Sequence, residues 1–211
     1  MSIPFTERGS FPTMPTSRPV SLKLTIIIGS TRPGRVGPTV AHWVDQFARD
    51  HGKFQVELVD LADVALPLLD ESAHPRLQQY EHEHTRRWSA LVASSDAFVF
   101  VTPEYDYFPP ATLVNAIQFL MKEWAEKPAA IVSYGGISGG LRSTQQLRLL
   151  ISNVNMMPLQ ASVPIPMVTQ FIGEDKVFRP NEPMSKGTKA MFDELHKWAV
   201  ALKAMREHPT E

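Results

Sequence analysis

The chain has 211 residues, 43% of them hydrophobic, which fits one globular domain with a sizeable core. Its 21 basic and 22 acidic residues nearly cancel, so no overall charge attracts nucleic acid or an anionic membrane, and neither is expected as a partner. The absence of cysteine excludes disulfides, thiolate nucleophiles and sulfur-ligated metals, and it suits a reducing, cytoplasmic location.

The first twenty residues differ in character from the rest of the chain. They contain four prolines among serines and threonines and no apolar run, which predicts a flexible N-terminal tail over residues 1–20 rather than a signal peptide. The apolar runs of the sequence are too short to span a membrane. Residues 21–206 show no internal repeat, and we expect them to form a single domain.

Beyond the tail, apolar runs typical of strands alternate with apolar positions at helical spacing. The predicted strands are Leu22–Ile28, Phe54–Asp60, Asp96–Thr102, Pro128–Tyr134 and a shorter fifth strand within Met156–Val163. The predicted helices follow them, over Val36 to about Asp50, Leu77–Val92, Leu113–Trp124, a segment ending near Asn153, and Met191–Met205.

This alternation is typical of βαβ units and of a parallel sheet covered on both faces. We therefore predict an α/β fold with a flavodoxin-like, doubly wound, five-stranded parallel sheet in a three-layer αβα sandwich. Such sheets bind ligands beyond the carboxyl ends of their strands, where the strand order reverses. Three unusual loops are predicted there, at Gly29–Gly37, Thr102–Pro110 and Tyr134–Gly140.

The first loop has the chemistry of a phosphate site. Ser30 and Thr31 offer hydroxyls, and the next helix begins with outward-facing N–H groups that favour an anion. Arg32 and Arg35 add charged, forked donors, and Pro33-Gly34 between them favours a type II turn. The alternative is an ordinary turn with solvated arginines. The loop matches neither a nucleoside-triphosphatase P-loop nor the usual dinucleotide fingerprint.

The second and third loops suit a flat ring. "TPEYDYFPP" sets two tyrosines and a phenylalanine among three prolines, so a planar ligand could lie against a rigid surface, although a packed connection is the alternative. "SYGGISGG" has four glycines, which permit close backbone approach, although a flexible turn is the alternative. A phosphate site beside a ring site describes a mononucleotide with a flat ring, and we predict FMN.

These loops resemble those of the NAD(P)H-dependent FMN reductases, a flavodoxin-like family that includes quinone, chromate and azo-dye reductases. The resemblance covers Leu22 to Leu159 and rests on "GSTRPGR", "PEYDYFPPATLVNAI" and "YGG". It implies phosphate contacts from the first loop, flavin-edge contacts from the second and contacts to the other side of the ring from the third. The predicted cofactor-binding residues are Ser30, Thr31, Arg32, Arg35, Val36, Gly37, Pro103, Glu104, Tyr105, Asp106, Tyr134, Gly135 and Gly136.

The resemblance also implies a homodimer that completes the flavin pocket, with a tetramer left open. In one position the chain departs from the family, because Asp106 stands where Asn is usual. An ionised carboxylate accepts hydrogen bonds but cannot donate one, and its charge would oppose reduction of a nearby flavin. We hypothesise that Asp106 lowers the flavin potential. The alternative is that it faces solvent or caps a turn.

The predicted function is that of an FMN-dependent oxidoreductase. NADPH or NADH reduces the bound FMN by hydride transfer, and the flavin then reduces a quinone or similar small-molecule acceptor in ping-pong fashion. The alternatives are a flavodoxin-like electron carrier, which the net charge of −1 disfavours, and a phosphate-ligand module without redox activity. We assign no catalytic acid, base or nucleophile, because the cofactor carries the chemistry.

One short motif invites a metal interpretation. "EHEH", Glu81–His84, places two histidines two residues apart, which on a helix would direct them to different faces, whereas a shared metal needs a spacing of four. We therefore predict no metal site and expect a solvated helix face.

Overall fold

The computed structural model describes residues 22–208, and the predicted tail, residues 1–20, lies outside them. Five parallel strands form one sheet in the order β2-β1-β3-β4-β5, which is the flavodoxin-like order. This confirms the predicted fold class. The strands are β1 (Lys23–Ile28), β2 (Gln55–Asp60), β3 (Ala97–Pro103), β4 (Pro128–Tyr134) and β5 (Met157–Ile165).

Helices cover both faces of this sheet. One layer contains α1 and α6, whose side chains such as Val40 and Met191 pack in one buried cluster. The other contains α3, α4 and α5, with Trp88, Leu113 and Leu147 in a second cluster. The helices are α1 (Gly37–His51), α2 (Leu61–Val64), α3 (Glu83–Ala93), α4 (Ala111–Gln118), α5 (Leu141–Asn153) and α6 (Glu182–Glu207).

The strand order reverses at β1, which pairs with β2 on one side and with β3 on the other. The chain leaves β1 for the β2 side and returns to β3, so the connections after these two strands diverge at the carboxyl edge. A crevice is expected at such a switch point. The first, second and third loops follow β1, β3 and β4, and therefore meet at this edge.

Four predicted elements differ from the structure. Helix α6, predicted over Met191–Met205, begins nine residues earlier at Glu182, where the Asn181 side chain caps it by accepting from the Met184 N–H. The second predicted helix was to include Leu77, but α3 begins at Glu83, and the Tyr80 hydroxyl instead donates to the Glu123 carboxylate at 2.8 Å. Helix α4 ends at Gln118, and Trp124 is buried in the following turn, where its indole N–H donates to the Ile117 carbonyl at 3.0 Å. Strand β5, predicted to be short, has nine residues. Tyr80 and Trp124, which lie beyond the ends of α3 and α4, are packed residues of a loop and a turn, so their regular spacing indicated burial and not helical structure.

None of the helices within residues 22–208 combines the length and the apolar character needed to cross a membrane.

Candidate functional site

The three loops converge on one cavity of about 270 Å³ at the carboxyl edge of the sheet. Eight of the thirteen predicted cofactor-binding residues line it, and they come from all three loops. The lining residues are Arg32, Gly34, Arg35, Val36, Pro103, Glu104, Tyr105, Tyr134, Gly135, Val168 and Thr169.

The first loop adopts the predicted tight turn. The Arg35 N–H donates to the Arg32 carbonyl at 3.1 Å, and Gly34 has a φ of +72°. A positive φ at the third residue, after proline, is the signature of a type II turn, and glycine adopts it without strain. The turn sends the two arginine side chains to different environments.

Arg35 is held beneath the loop by an acid that the sequence reasoning missed. Its guanidinium donates both Nη groups to the two Asp60 carboxylate oxygens at 2.6 Å, and Nη1 also donates to the Ser30 carbonyl at 2.5 Å. Burial alone would raise the pKa of Asp60, but the hydrogen bonds from Arg35 and the Ala62 N–H outweigh it and hold that pKa below its usual value. Arg35 therefore shapes the loop from below.

Arg32, by contrast, is exposed. Its Cζ atom lies 5.4 Å from the centre of the Tyr105 ring, so a cation–π contact directs it across the mouth of the cavity. The neighbouring head of α1 has no side-chain cap at Val36, and Pro38 in its first turn has no N–H. The other amide groups of a first turn have no partner within the helix, so the chemistry of Arg32 and the head of α1 makes them a candidate anion site.

Five predicted residues do not line this cavity, and three of them, Ser30, Thr31 and Gly37, belong to the first loop. Ser30 is fully buried, and its hydroxyl lies 3.2 Å from the Tyr134 hydroxyl. A Cβ on Gly37 would lie 2.7 Å from both of these oxygens, so only glycine allows the helix to begin this close. Burial, above all, raises the pKa of Tyr134 to about 12, so its hydroxyl stays protonated. Ser30 and Gly37 thus support the anion site from inside.

The second loop is a tight hairpin. Tyr105 and Phe108 exchange two backbone hydrogen bonds of 2.9 Å, and the residues between them, Asp106 and Tyr107, have φ values of +47° and +77°. Two positive φ values indicate a type I′ turn, in which Asn and Asp are favoured at the first position. The N–H groups of Glu104 and Tyr105 already donate to the Tyr134 and Phe108 carbonyls. Within residues 22–208 the N–H groups of Asp106 and Tyr107 form no hydrogen bond, so they suit a ligand edge.

A salt bridge joins the second loop to the third. Glu104 accepts from the Ser138 hydroxyl and the Arg142 N–H at 3.1 Å each, and it pairs with the Arg142 guanidinium, which stacks 4.0 Å from the Tyr107 ring centre. Burial opposes ionisation of Glu104, but these hydrogen bonds lower its pKa below the usual value. Glu104 therefore acts as a brace and offers no proton.

A second cavity of about 490 Å³ adjoins this salt bridge and shares Glu104 with the first. It places the predicted residues Asp106 and Gly136 at its edge. A Cβ on Gly136 would meet nothing within 4 Å, so its backbone faces open space. The lining residues are Glu104, Asp106, Tyr107, Gly136, Ile137, Ser138 and Arg142.

Sequence reasoning also missed the segment after β5. The Val168 N–H donates to the Gly135 carbonyl at 3.1 Å, and the Met167 N–H donates to the Gly136 carbonyl at 2.8 Å, so this segment supports the third loop and lines the first cavity. The available signal was the strand order itself. If β5 lies beside β4, the residue stretch that follows β5 must reach the same edge as the third loop.

The histidine motif is arranged differently from the prediction. His82 precedes α3 as its N-cap, and its ring stacks on that of His84 with 5.2 Å between centres. The expectation that the two rings lie on different helix faces is therefore wrong. His84 pairs with the Asp70 carboxylate at 3.0 Å. Among residues 22–208 no group of three or more metal-ligating side chains is close enough to hold an ion.

Comparison with known proteins gives consistent matches. A profile of the NADPH-dependent FMN reductase family matches residues 22–170. An NAD(P)H-dependent FMN reductase of Schizosaccharomyces pombe is 43% identical over 123 residues, which cover 57% of this chain and 62% of that protein, just under two thirds. The NAD(P)H-dependent FMN reductase LOT6 of Saccharomyces cerevisiae is 36% identical over 168 residues, which cover 74% and 87% of the two chains.

More distant matches extend this result. A probable NADPH:quinone oxidoreductase of Oryza sativa subsp. japonica is 29% identical over 143 residues, covering 63% of this chain and 66% of that protein. The solved structure of FerB, a flavoenzyme NAD(P)H:(acceptor) oxidoreductase from Paracoccus denitrificans, superposes with a TM-score of 0.70 at 20% identity over 85% and 98% of the two chains, which supports the fold. These matches confirm the predictions of family, of FMN as cofactor with NAD(P)H as donor, and of an oxidoreductase.

Proposed function

We propose that this chain, which belongs to the NADPH-dependent FMN reductase family, holds FMN across its two adjoining cavities and passes electrons from NAD(P)H to a quinone. The observation that carries the proposal is the convergence of an anion site, a rigid aromatic hairpin and an open glycine backbone at the switch point of the sheet. Each feature suits one part of a flavin mononucleotide. The anion site follows β1, and the hairpin and the glycine backbone follow the neighbouring strands β3 and β4, so a phosphate and a ring could lie side by side along this edge.

The residues present fit this cofactor. The exposed guanidinium of Arg32 and the uncapped head of α1 suit the phosphate, and a Cβ at Gly37 would close the space in which that helix begins. The first cavity is too small for a whole mononucleotide, but it shares Glu104 with the second, so the ring would extend from one to the other. FMN, when bound, supplies the acceptance of a hydride and its release to an acceptor.

The residues of the chain bind FMN and orient its ring. The N–H groups of Asp106 and Tyr107 point from a turn whose geometry is set by its own hydrogen bonds, so they would meet the ring edge without rearrangement. Glu104 and Arg142 hold the second and third loops at a fixed separation. Tyr134 stays protonated and donates or accepts beside Ser30. The proposed function requires no proton transfer by any of these side chains.

A paired substitution tests the site. Gly37→Ala should weaken FMN binding at least tenfold, because a Cβ 2.7 Å from the Ser30 and Tyr134 hydroxyls must displace these buried side chains or the head of α1 that packs on them. Gly187→Ala is the matched control: it lies in α6 with nothing within 4 Å, so FMN binding should not change. The measurements are the flavin absorption spectrum, the Kd for FMN and steady NADPH oxidation with a quinone panel. Equal Kd values in the two variants would reject this phosphate site.

The acceptor and the electron-carrier alternative are tested by the same assay. The likeness to a probable NADPH:quinone oxidoreductase supports a quinone acceptor, and azo dyes, chromate and free flavins serve as competing acceptors. Multiple turnovers of NADPH with a quinone are expected. A yellow protein that accepts electrons once but does not turn over would instead be a carrier.

A homodimer that works in the cytoplasm completes the proposal, with a tetramer as the second possibility. Its support is a group of exposed apolar side chains beside the second cavity: Tyr107 and Phe108 are 57% and 56% exposed and Ile137 is 92% exposed. Adjacent exposed apolar residues are typical of protein contacts. Light scattering should give twice the chain mass, and Ile137→Asp should shift it toward the monomer. The absence of cysteine supports the location, which a fluorescent fusion would test.

A further inference from the structure

A third cavity, which we call the Trp43 cavity, lies outside the proposed flavin site. It has a volume of about 560 Å³, twice that of the first cavity, and lies between α1 and the connection that precedes α6. Helix α1 contributes Pro38, Thr39, Trp43 and Gln46 among its lining residues, and the connection contributes Lys176 and Phe178. The proposed FMN site does not use these residues.

The walls of the Trp43 cavity suit a flat aromatic ring. The rings of Trp43 and Phe178 pack with 4.9 Å between their centres, and the Phe178 ring is buried while Trp43 is partly open. Thr39 and Gln46, on the same helix, offer polar groups at the side. A planar heterocycle could therefore stack on the open part of Trp43 and form hydrogen bonds at its edge.

A cation stands beside these aromatic walls. Lys176 is exposed, and in residues 22–208 it forms no ion pair, whereas its neighbours Asp175 and Arg179 pair with each other at 2.5 Å. Its φ of +60° places it at a tight turn in which its own N–H donates to the Gly173 carbonyl at 2.9 Å. The backbone that carries this ammonium group is therefore fixed, and the charge remains available to an anion.

The Trp43 cavity and the proposed flavin site share the same two structural elements. Val36 lines the first cavity and Trp43 follows it by seven residues, which is about 10 Å along a helix. The connection after β5 likewise contributes Thr169 to the first cavity and Lys176 to the Trp43 cavity. The Trp43 cavity therefore adjoins the phosphate end of the proposed flavin site, and a ligand with two aromatic ends that occupies it must pass that end to reach the ring.

We propose that the Trp43 cavity binds the adenosine 2′-phosphate end of NADPH, with adenine on Trp43 and the 2′-phosphate on Lys176, while the nicotinamide end reaches the flavin site. This inference rests on the proposed function, since it assumes that NAD(P)H is the donor. It makes Lys176 the residue that selects NADPH over NADH, because the two dinucleotides differ only in that phosphate.

Steady-state kinetics with both donors tests the selectivity. Lys176→Ala should raise the KM for NADPH about tenfold and leave the KM for NADH, the kcat and the FMN content unchanged. Lys186→Ala is the matched control, because Lys186 is an exposed lysine on α6 that pairs with Glu182 away from the cavity, and it should change neither KM. An unchanged KM for NADPH in Lys176→Ala, or an equal rise for NADPH and NADH, would overturn the proposal.

Direct binding separates this proposal from the proposed function. Calorimetry measures the binding of 2′,5′-ADP as the probe, and Lys176→Ala should raise its Kd about tenfold. The Kd for 5′-AMP should be the same in the wild type and in Lys176→Ala. Trp43→Phe, which keeps an aromatic ring, should weaken both probes by the same factor. If 2′,5′-ADP does not bind, or binds without regard to Lys176, the proposal is wrong even if the enzyme is active. If both donors fail to reduce FMN in the wild type, the proposed function fails instead.

Discussion

The two ends of the proposed flavin site are held by the same chemical pair in different surroundings. At the phosphate end, residues 30–37, Arg35 and Asp60 pair with side chains that are each 17% exposed. At the ring end, residues 103–107 and 135–142, Glu104 is 7% exposed but its partner Arg142 is 44% exposed. The first pair joins a loop to a neighbouring strand, and the second joins two loops to each other.

The difference teaches which residues serve the fold and which serve the ligand. A partly buried pair cannot lose one partner without leaving a charge poorly solvated, whereas a pair with one exposed member is screened by water. We therefore expect substitutions at the phosphate end to separate into a large structural effect at Asp60 and a purely binding effect at Arg32. Substitutions at the ring end should have smaller effects on stability and subtler effects on chemistry.

The largest effect is expected from Asp60→Ala. It leaves the Arg35 guanidinium without its bidentate partner and removes the acceptor of the Ala62 N–H, so the free energy of unfolding should fall by about 2–3 kcal/mol. Urea unfolding measures it. Asp63→Ala, in the exposed first turn of α2, is the control and should change stability little. A similar small loss in both variants would show that the Arg35–Asp60 pair does not stabilise the phosphate end.

The next effect concerns Arg32→Ala. Because the Arg32 side chain is exposed and, among residues 22–208, forms a cation–π contact alone, its loss should leave the unfolding free energy unchanged. Loss of a charge-assisted phosphate contact should weaken FMN binding by about 1.5–3 kcal/mol, roughly ten- to a hundredfold in Kd. Arg32→Lys should recover part of the affinity. Flavin fluorescence titration measures all three proteins, and an unchanged Kd in Arg32→Ala would contradict the phosphate assignment.

A smaller effect is expected from Glu104→Gln. Because the folded pKa of Glu104 is lowered, its contribution is fully present above its unfolded pKa near 4.5 and is lost as the pH falls through the lower folded value. At neutral pH the substitution should cost about 1 kcal/mol, as for a partly exposed pair. Melting temperatures measured from pH 7 to pH 3 should converge for the two proteins. A constant difference down to pH 3 would show that the Glu104 charge is not responsible.

The smallest effect is expected from Asp106→Asn. Asn also favours the left-handed conformation that this position adopts, so the hairpin should keep its geometry and stability. Removing a negative charge beside the ring should raise the flavin midpoint potential by some tens of millivolts at most, about 20 mV for a partly screened charge. A redox titration of both proteins measures it. Identical midpoints, or a lower one in the Asn variant, would leave Asp106 with a turn-forming role alone.

The fold and the position of the site could be read from local patterns. Alternating strands and helices predicted the sheet, and "GSTRPGR", "PEYDYFPP" and "SYGG" predicted the three loops that meet at its edge. Local patterns succeed here because strand periodicity, turn residues and glycine placement are set by neighbours in sequence. The prediction that the second helix begins at Leu77 was wrong because it also used a local pattern. Apolar spacing alone does not distinguish a helix from a packed loop.

The division of labour among the charged residues could not be predicted. Arg32 and Arg35 are equivalent in the sequence, and only the distant Asp60 makes one of them structural. Glu104 likewise acquires its brace from Arg142, 38 residues away. Such pairings depend on which strands become neighbours and on how far each loop reaches. They are properties of the assembled sheet edge, and no spacing rule within one segment encodes them.

The bond between Arg35 and Asp60 has a consequence for how the protein opens and closes. Asp60 ends β2, which in the sheet that residues 22–208 form is an edge strand paired with β1 alone. Edge strands are where a sheet loses its hydrogen bonds first, because one side of their backbone has no partner strand. An anion held at residues 30–37 would therefore slow amide hydrogen exchange in residues 55–60, which it does not touch. The bound cofactor would thus stabilise the edge strand β2, and in the protein without the cofactor this strand should be the part of the sheet most susceptible to proteases.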